Sequence, residues 1–336
     1  MGLALGLGGH HIEDVWQVAA EYHDGDVGYA LQEVSPAAAA IVAQVRGDAT
    51  PWLAHRERWK AQASLQGRQL DQYLSDIDKF PGEMLEDLRG PKVQAWIEVQ
   101  LATGISPKTV RRKLAALQNY WGWMQGHGHV GGDAHPFKGR RVPRAAVGGP
   151  KREAFTRAEV MSLHAAAGAK GDKVLADLIT LGAHTGARIE EICNLKVAHV
   201  DLESRVLRIV ASKTQAGIRA IPLHAAIVPL VTRLAKDTKD GYLILATAQG
   251  KYAERSAPIS KRFGNLKTAQ GFGATHVYHS IRKTVATLLE DSGCPEGIAS
   301  DILSHEKMGQ SFGLYSGGAS METKRIWLTQ AVHYPR

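Results

Sequence analysis

The second half of the chain carries polar side chains whose types and spacing could do phosphate chemistry. Arg188 and Glu191 lie in HTGARIEEICNL, His279 and Arg282 in HSIRKTVATLLEDSG, and His305 precedes Tyr315 by ten residues in ILSHEKMGQSFGLYS. On a helix, Arg188 and Glu191 share a face. They are either an ion pair worth tenths of a kcal/mol or a carboxylate positioning a guanidinium toward an anion near the helix N-terminus, where unpaired amides favour negative charge. His279 and Arg282 are also three apart at a helix start, a spacing that His and Arg share by chance often enough to carry little by itself. A phenol such as Tyr315, with an ordinary pKa of about 10, attacks poorly at neutral pH unless neighbouring cations ease formation of its phenolate. The chain has no P-loop, no HExxH and no Cys/His ligand cluster, so no metal, nucleotide or other cofactor is expected.

These residues need elements to position them. Thr156 and Glu159 form a T-x-x-E capping box that opens a helix. The patterning predicts further helices over 173–183, 188–195, 224–235, 259–267, 280–292 and 296–303. Strands are predicted at 206–211 and 218–223, joined by the turn-prone SKTQAG. Beyond Tyr315, the residues Ile326, Trp327, Leu328 and Val332 make an apolar tail helix, which can pack on its own subunit or on a neighbour. Cys193 and Cys294, within apparent helical segments, read as small buried side chains in a reducing compartment.

The first half is also helical. Leu70, Tyr73, Leu74 and Ile77 recur at helical spacing before Phe80-Pro81-Gly82, and a second helix starts near Pro91. A third is capped by Ser106, starts with Pro107 and is expected to close at Gly126, with Val110, Leu114, Leu117, Trp121 and Met124 on one face. Its start gathers Lys108, Arg111, Arg112 and Lys113, which suit either a solvated face or DNA phosphates. From Lys138 to Arg152 six basic residues, Arg140 and Arg141 among them, occur with no acidic one and with Pro and Gly between them, as in a linker. Residues 1–50 show a possible helix at 12–22, an Ala-rich stretch and no usable motif.

Composition sets outer bounds. The 336 residues, 44% hydrophobic and 22% charged, suit two globular domains, and 41 Lys and Arg against 33 Asp and Glu leave a formal charge of +8, which favours polyanionic partners. No apolar run approaches the roughly 20 residues that span a bilayer, and the Gly-rich start lacks the form of a secretion signal. A cytoplasmic protein with no membrane partner is expected. The fold class expected is mostly α with a small antiparallel β-sheet.

Taken together, TGARIEE, Lys213 in ASKTQAGIRAIPL, HSIR, LSH and Tyr315 stand in the order and approximate spacing of the tyrosine recombinase (phage integrase) family, which residues 156–325 resemble. Less specifically, 51–137 resemble the helical core-binding domain of phage-type integrases. The resemblance implies an N-terminal segment at 1–50, a core-binding domain at 51–137, a basic linker at 138–152 and a catalytic domain at 153–336. It implies that Arg188 and Arg282 grip the non-bridging oxygens of a scissile phosphate and that Lys213 protonates the departing 5′ oxygen. His279 and His305 would assist, and Tyr315 would attack phosphorus to give a 3′-phosphotyrosine. Double-stranded DNA, a homotetramer assembled on it and accessory DNA-bending or directionality proteins are the implied partners. Ser304 stands where the family usually has Gly, and Lys283 where many members have His. A type IB topoisomerase-like or resolvase activity, or a non-catalytic DNA-binding protein of the same fold, would carry much of the same pattern.

Overall fold

The computed structural model describes residues 49–82, 84–131, 135–144, 151–210, 217–304 and 317–334. Lys213, His305 and Tyr315 lie outside the described residues, as does the helix expected at 12–22. The chain divides into two compact units, Met1–Val147 and Gly148–Arg336.

In the first unit, helices α1 (Arg56–Gln62), α2 (Gly67–Asp78), α3 (Gly90–Ala102) and α4 (Pro107–Gly126) surround an aromatic core. The α4 face foreseen from its spacing is buried at Val110, Leu114, Leu117, Trp121 and Met124, and the Ser106 hydroxyl accepts from Thr109 N at 3.2 Å. Trp52, Trp59, Tyr120 and Phe137 are each no more than 2% exposed. Each buried ring of this size is worth roughly 5 kcal/mol of gross transfer energy, so the aromatics dominate the unit. Their polar atoms are met: Trp52 Nε1 donates to Ile77 O at 2.9 Å and Tyr120 OH to Trp52 O at 3.0 Å. The helix ends at Gly126, as expected, with its cap at His127, whose ring nitrogen lies 2.8 Å from Trp123 O; the left-handed turn falls on Gly128, at φ +72°.

The second unit comprises α5 (Arg157–Ala169), α6 (Lys173–Thr185), α7 (Ile189–Cys193), strands β1 (Val200–Asp201), β2 (Val206–Ile209) and β3 (Arg219–Pro222), and then α8 (Val228–Asp237), α9 (Ser256–Ala269), α10 (His279–Asp291), α11 (Glu296–Leu303) and α12 (Met321–Ala331). The Thr156/Glu159 capping box is present in both directions. The sheet is antiparallel in the order β1-β2-β3, with Leu207 opposite Ile221 and Ile209 opposite Arg219. Mostly helical with a small antiparallel sheet, the architecture matches the pattern read from the sequence.

Three local expectations need correction. Residues 224–235 are not one helix: a 3-10 turn, Ala225–Ile227, comes first, because the His224 side chain accepts from Ala226 N at 3.1 Å. The helix expected at 188–195 shortens to Ile189–Cys193, where Asn194 turns its side-chain amide back to Glu190 O. Cys294 is buried but follows α10 rather than lying in it. The tail helix packs in cis: α12 lies against β3, α10 and α11, with Leu328, Ala331 and Val332 in the core and Ile326 left 55% exposed.

Candidate active site

The site is assembled at the junction of α6 and α7. Gly186 ends α6 in the left-handed conformation, φ +62°, and an added Cβ there would collide with Leu303 and press on Val285 at 3.2 Å. Glycine is therefore required both for its φ and for the close approach of α10 and α11. Its freed carbonyl accepts from Arg282 Nη1 at 2.8 Å. Two residues on, Arg188 caps α7 in extended conformation, with its own amide held by Glu191 Oε2 at 2.9 Å. One turn thus fixes both arginines, although they stand far apart in the chain.

Glu191 organises what surrounds them. Its Oε1 accepts from Arg188 Nη1 at 2.6 Å and from Arg219 Nη1 at 3.3 Å, and its Oε2 accepts from Arg219 Nη2 at 3.2 Å. Burial would raise the Glu191 pKa, but Arg219 and the hydrogen bonds from both arginines override it and hold the carboxyl at about 2. The pair is not the exposed surface bridge that the spacing alone allowed. Arg282 is 3% exposed, and burial, with Arg188 and Arg219 close by, pushes its pKa down to about 9, so it stays charged at neutral pH. Among the described residues its Nη2 has no hydrogen-bond partner. A buried donor in that state costs about 1–3 kcal/mol, which an anion drawn to the site would recover. Three guanidiniums facing one carboxylate make this a place for an anion.

Two residues not singled out as site members complete the frame. Ser304, left-handed at φ 57° and 5% exposed, accepts from Arg188 Nη1 through its Oγ at 2.6 Å. Arg219 stands in a predicted strand, and its one signal in the sequence is a basic residue among the apolar neighbours of IRAIPL. Lys283 donates to Arg152 O at 2.6 Å, fastening α10 to the start of the unit rather than entering the site. His279, the first residue of α10, is exposed one turn before Arg282.

Two further tyrosines of the second unit are poorly suited to act as nucleophiles. Tyr278 is buried, donates to Leu178 O at 2.8 Å, and burial raises its pKa well above the ordinary value. Burial likewise pushes Tyr334 to about 12. Among the described residues, no three His, Cys, Asp or Glu side chains gather as a metal site, and no helix is long and apolar enough to cross a membrane.

In the first unit the basic start of α4 divides by role. Lys108 and Arg111 are exposed, but the Arg111 guanidinium donates to Val142 O at 3.4 Å and to Pro143 O. Arg112 is paired with Asp76, which is 5% exposed, and Lys113 donates to Gln100 Oε1. The Arg140 guanidinium lies over Gly90 while its Nε donates to Lys138 O at 3.0 Å, and exposed Arg141 is bound through its amide to Gln94 Oε1 at 2.9 Å.

Residues 153–316 match the model of the phage integrase family. Among curated proteins, the tyrosine recombinase XerC of Xanthomonas campestris pv. campestris is 26% identical over 300 residues, covering 80% of this chain and 89% of that one. XerC of Mycobacterium sp. is 24% identical over 262 residues, covering 70% and 83%. The fold is similar to that of a Tn1549 transposon integrase solved with transposon right end DNA, at TM-score 0.61 and 19% identity over 82% of this chain and 98% of that one. It is also similar to a lambda integrase dimer bound to a COC′ core site, at TM-score 0.63 and 19% identity over 84% and 85%. A lambda integrase tetramer on a Holliday junction gives TM-score 0.63 at 19% identity over 84% of each chain.

Proposed function

Because residues 153–316 of this chain belong to the phage integrase family, we propose that the protein is a tyrosine-type site-specific recombinase that cuts and rejoins duplex DNA through a 3′-phosphotyrosine. The observation that carries this reading is the meeting of Arg188 and Arg282 about the Gly186 turn, both charged and oriented by fixed partners. Planar guanidinium forks suit the two non-bridging oxygens of a phosphodiester. They also stabilise the extra negative charge that phosphorus gains as a fifth oxygen bonds to it.

In this scheme the Tyr315 oxygen attacks phosphorus and the 5′ oxygen leaves, taking a proton from Lys213. His279 and His305 support the phosphate and help move protons. The bond energy is kept in the phosphotyrosine, so an incoming 5′ hydroxyl can reverse the step and reseal a strand. Both flanks of 305–316 are tied to the end of α11: Ser304 holds Arg188, and Ala319 N donates to Asp301 Oδ2 at 2.7 Å. Tyr315 stands four residues before Ala319, a span of at most about 14 Å.

The first unit would grip the duplex as a core-binding domain at 51–137, with 138–152 as the basic linker and 153–336 as the catalytic domain. Lys108, Arg111, Arg140 and Arg141 are the side chains proposed for backbone phosphates, with Arg112 and Lys113 supporting the helix that presents them. A homotetramer on DNA, formed in the cytoplasm, completes the proposal.

A nicked suicide duplex tests it. Covalent capture by the intact protein, lost in Tyr315→Phe and mapped by peptide mass to Tyr315, is the expected result. Tight binding without capture would instead make the chain a DNA-binding protein. Relaxation of supercoils without exchange between two sites would make it a topoisomerase-like enzyme.

A further inference from the structure

We propose that Arg219 is a positioning residue of the cleavage step, whose guanidinium locks Glu191 and the end of α11 so that Arg188 and Arg282 are set around the scissile phosphate. This rests on the recombinase reading above. The residue is 5% exposed at its side chain and spends its donors on α11, on α7 and on the turn just before its own strand. Its Nε donates to Ile302 O at 2.8 Å, Nη1 donates to Gly217 O at 2.9 Å and to Glu191 Oε1 at 3.3 Å, and Nη2 donates to Glu191 Oε2 at 3.2 Å. One planar fork therefore joins β3, the helix that Arg188 caps, and the segment that ends in Ser304, itself bound to Arg188.

Stability alone does not account for this choice. A buried ion pair is often matched or bettered by apolar side chains of similar volume, and a third guanidinium adds repulsion where Arg188 already acts on Arg282. Arg188 from the α7 cap and Arg219 from β3 bind one carboxylate, and Arg282 from α10 lies close enough to feel all three, so among the described residues of the cluster two positive charges exceed the negative one. A phosphodiester brings one negative charge, and a pentavalent phosphorus attacked by a phenolate carries two. The excess charge suits the transition state better than the bound substrate, which is the condition for raising rate rather than affinity. With its donors committed to protein oxygens, Arg219 acts through Glu191 and Arg188 rather than on the phosphate.

The test uses the full chain and nicked duplexes selected from a randomised pool by covalent capture on the intact protein. The single-turnover cleavage rate should fall about 100-fold in Arg219→Gln and about tenfold in Arg219→Lys, which keeps the charge but loses the fork. Duplex affinity should stay within about threefold of the intact protein in both. A role confined to fold stability would not change the pH profile. Here, in Arg219→Gln, Glu191 loses its chief cationic partner and becomes protonatable in the mildly acid range. Cleavage should then drop by about a further tenfold between pH 7 and pH 5, an added dependence that vanishes in Glu191→Gln/Arg219→Gln. The double variant should also be no slower at pH 7 than the worse of its two single variants, because the residues act as one unit. Should Arg219→Gln not fold, Arg219→Lys decides by its rate at unchanged Tm. Capture by the intact protein together with an undiminished rate in the variants overturns the role of Arg219 alone. No capture by the intact protein overturns the recombinase reading and this proposal with it.

Discussion

Arg188 Nη1 lies 2.6 Å from Ser304 Oγ, and that serine holds a left-handed backbone at φ 57°, a conformation that favours glycine. The hydroxyl offsets the strain of its own Cβ by binding a charged donor, a bond worth about 1.5–3 kcal/mol against a left-handed penalty of roughly 1–2. Ser304→Gly should therefore leave stability within about 1 kcal/mol of the parent, whereas Ser304→Ala, which keeps the strain and loses the bond, should be less stable than Ser304→Gly by about 1 kcal/mol. Urea unfolding of the three proteins checks the order. Cleavage by both variants should slow by about three- to tenfold as Arg188 loosens.

Arg188→Ala and Arg282→Ala should each lower cleavage by a factor of about 100 or more while duplex affinity changes by less than about tenfold, since the lost contacts strengthen as charge develops on phosphorus. Gel-shift and single-turnover measurements on the same duplex separate the two quantities. Equal losses in binding and cleavage would contradict the assignment.

Glu191 gives a pH signature. Its carboxyl is held at about 2 in the folded chain, against an ordinary value of 4.5. A depressed acid contributes stability that is full above its unfolded pKa and is lost as pH falls through its folded one. The window therefore runs from about pH 4.5 down to about pH 2, with roughly 3 kcal/mol at stake. The stability difference between the intact protein and Glu191→Gln, read by urea unfolding, should be largest near pH 7 and shrink through that window. A difference that does not change with pH would remove Glu191 as the charged centre of the cluster.

The basic helix start of the first unit should separate by function. Lys108→Ala should weaken duplex binding at all sequences and reduce the slope of log affinity against log salt by about 1, with Tm unchanged. Arg112→Ala should instead destabilise the unit by about 3 kcal/mol, because it strands Asp76, 5% exposed, without its cation. Thermal unfolding and salt titration of both variants distinguish them; identical behaviour would show that the structural division is wrong.

The sequence by itself determined what local rules control. Periods of three and four fixed the buried face of α4, T-x-x-E fixed the cap of α5, and branched apolar runs fixed β2 and β3, since each depends on residues a turn or a strand apart. The ordered set of Arg188, Lys213, His279, Arg282, His305 and Tyr315 was legible as a resemblance, and the structure brings two of these, Arg188 and Arg282, to one turn. Where local signals compete, as where the His224 side chain takes the Ala226 amide, composition alone misplaced the element end. Only the tertiary structure decided that Glu191 is a buried centre shared with Arg219, 28 residues on, that Ser304, 116 residues from Arg188, completes its hold, and that Arg282 reaches Gly186 across 96 residues. Sequence spacing carries no record of such partners. Which charges meet depends on the packing of α6, α7, α10, α11 and β3 around one core, and burial there converts an unremarkable i,i+3 pair into the charged heart of the site.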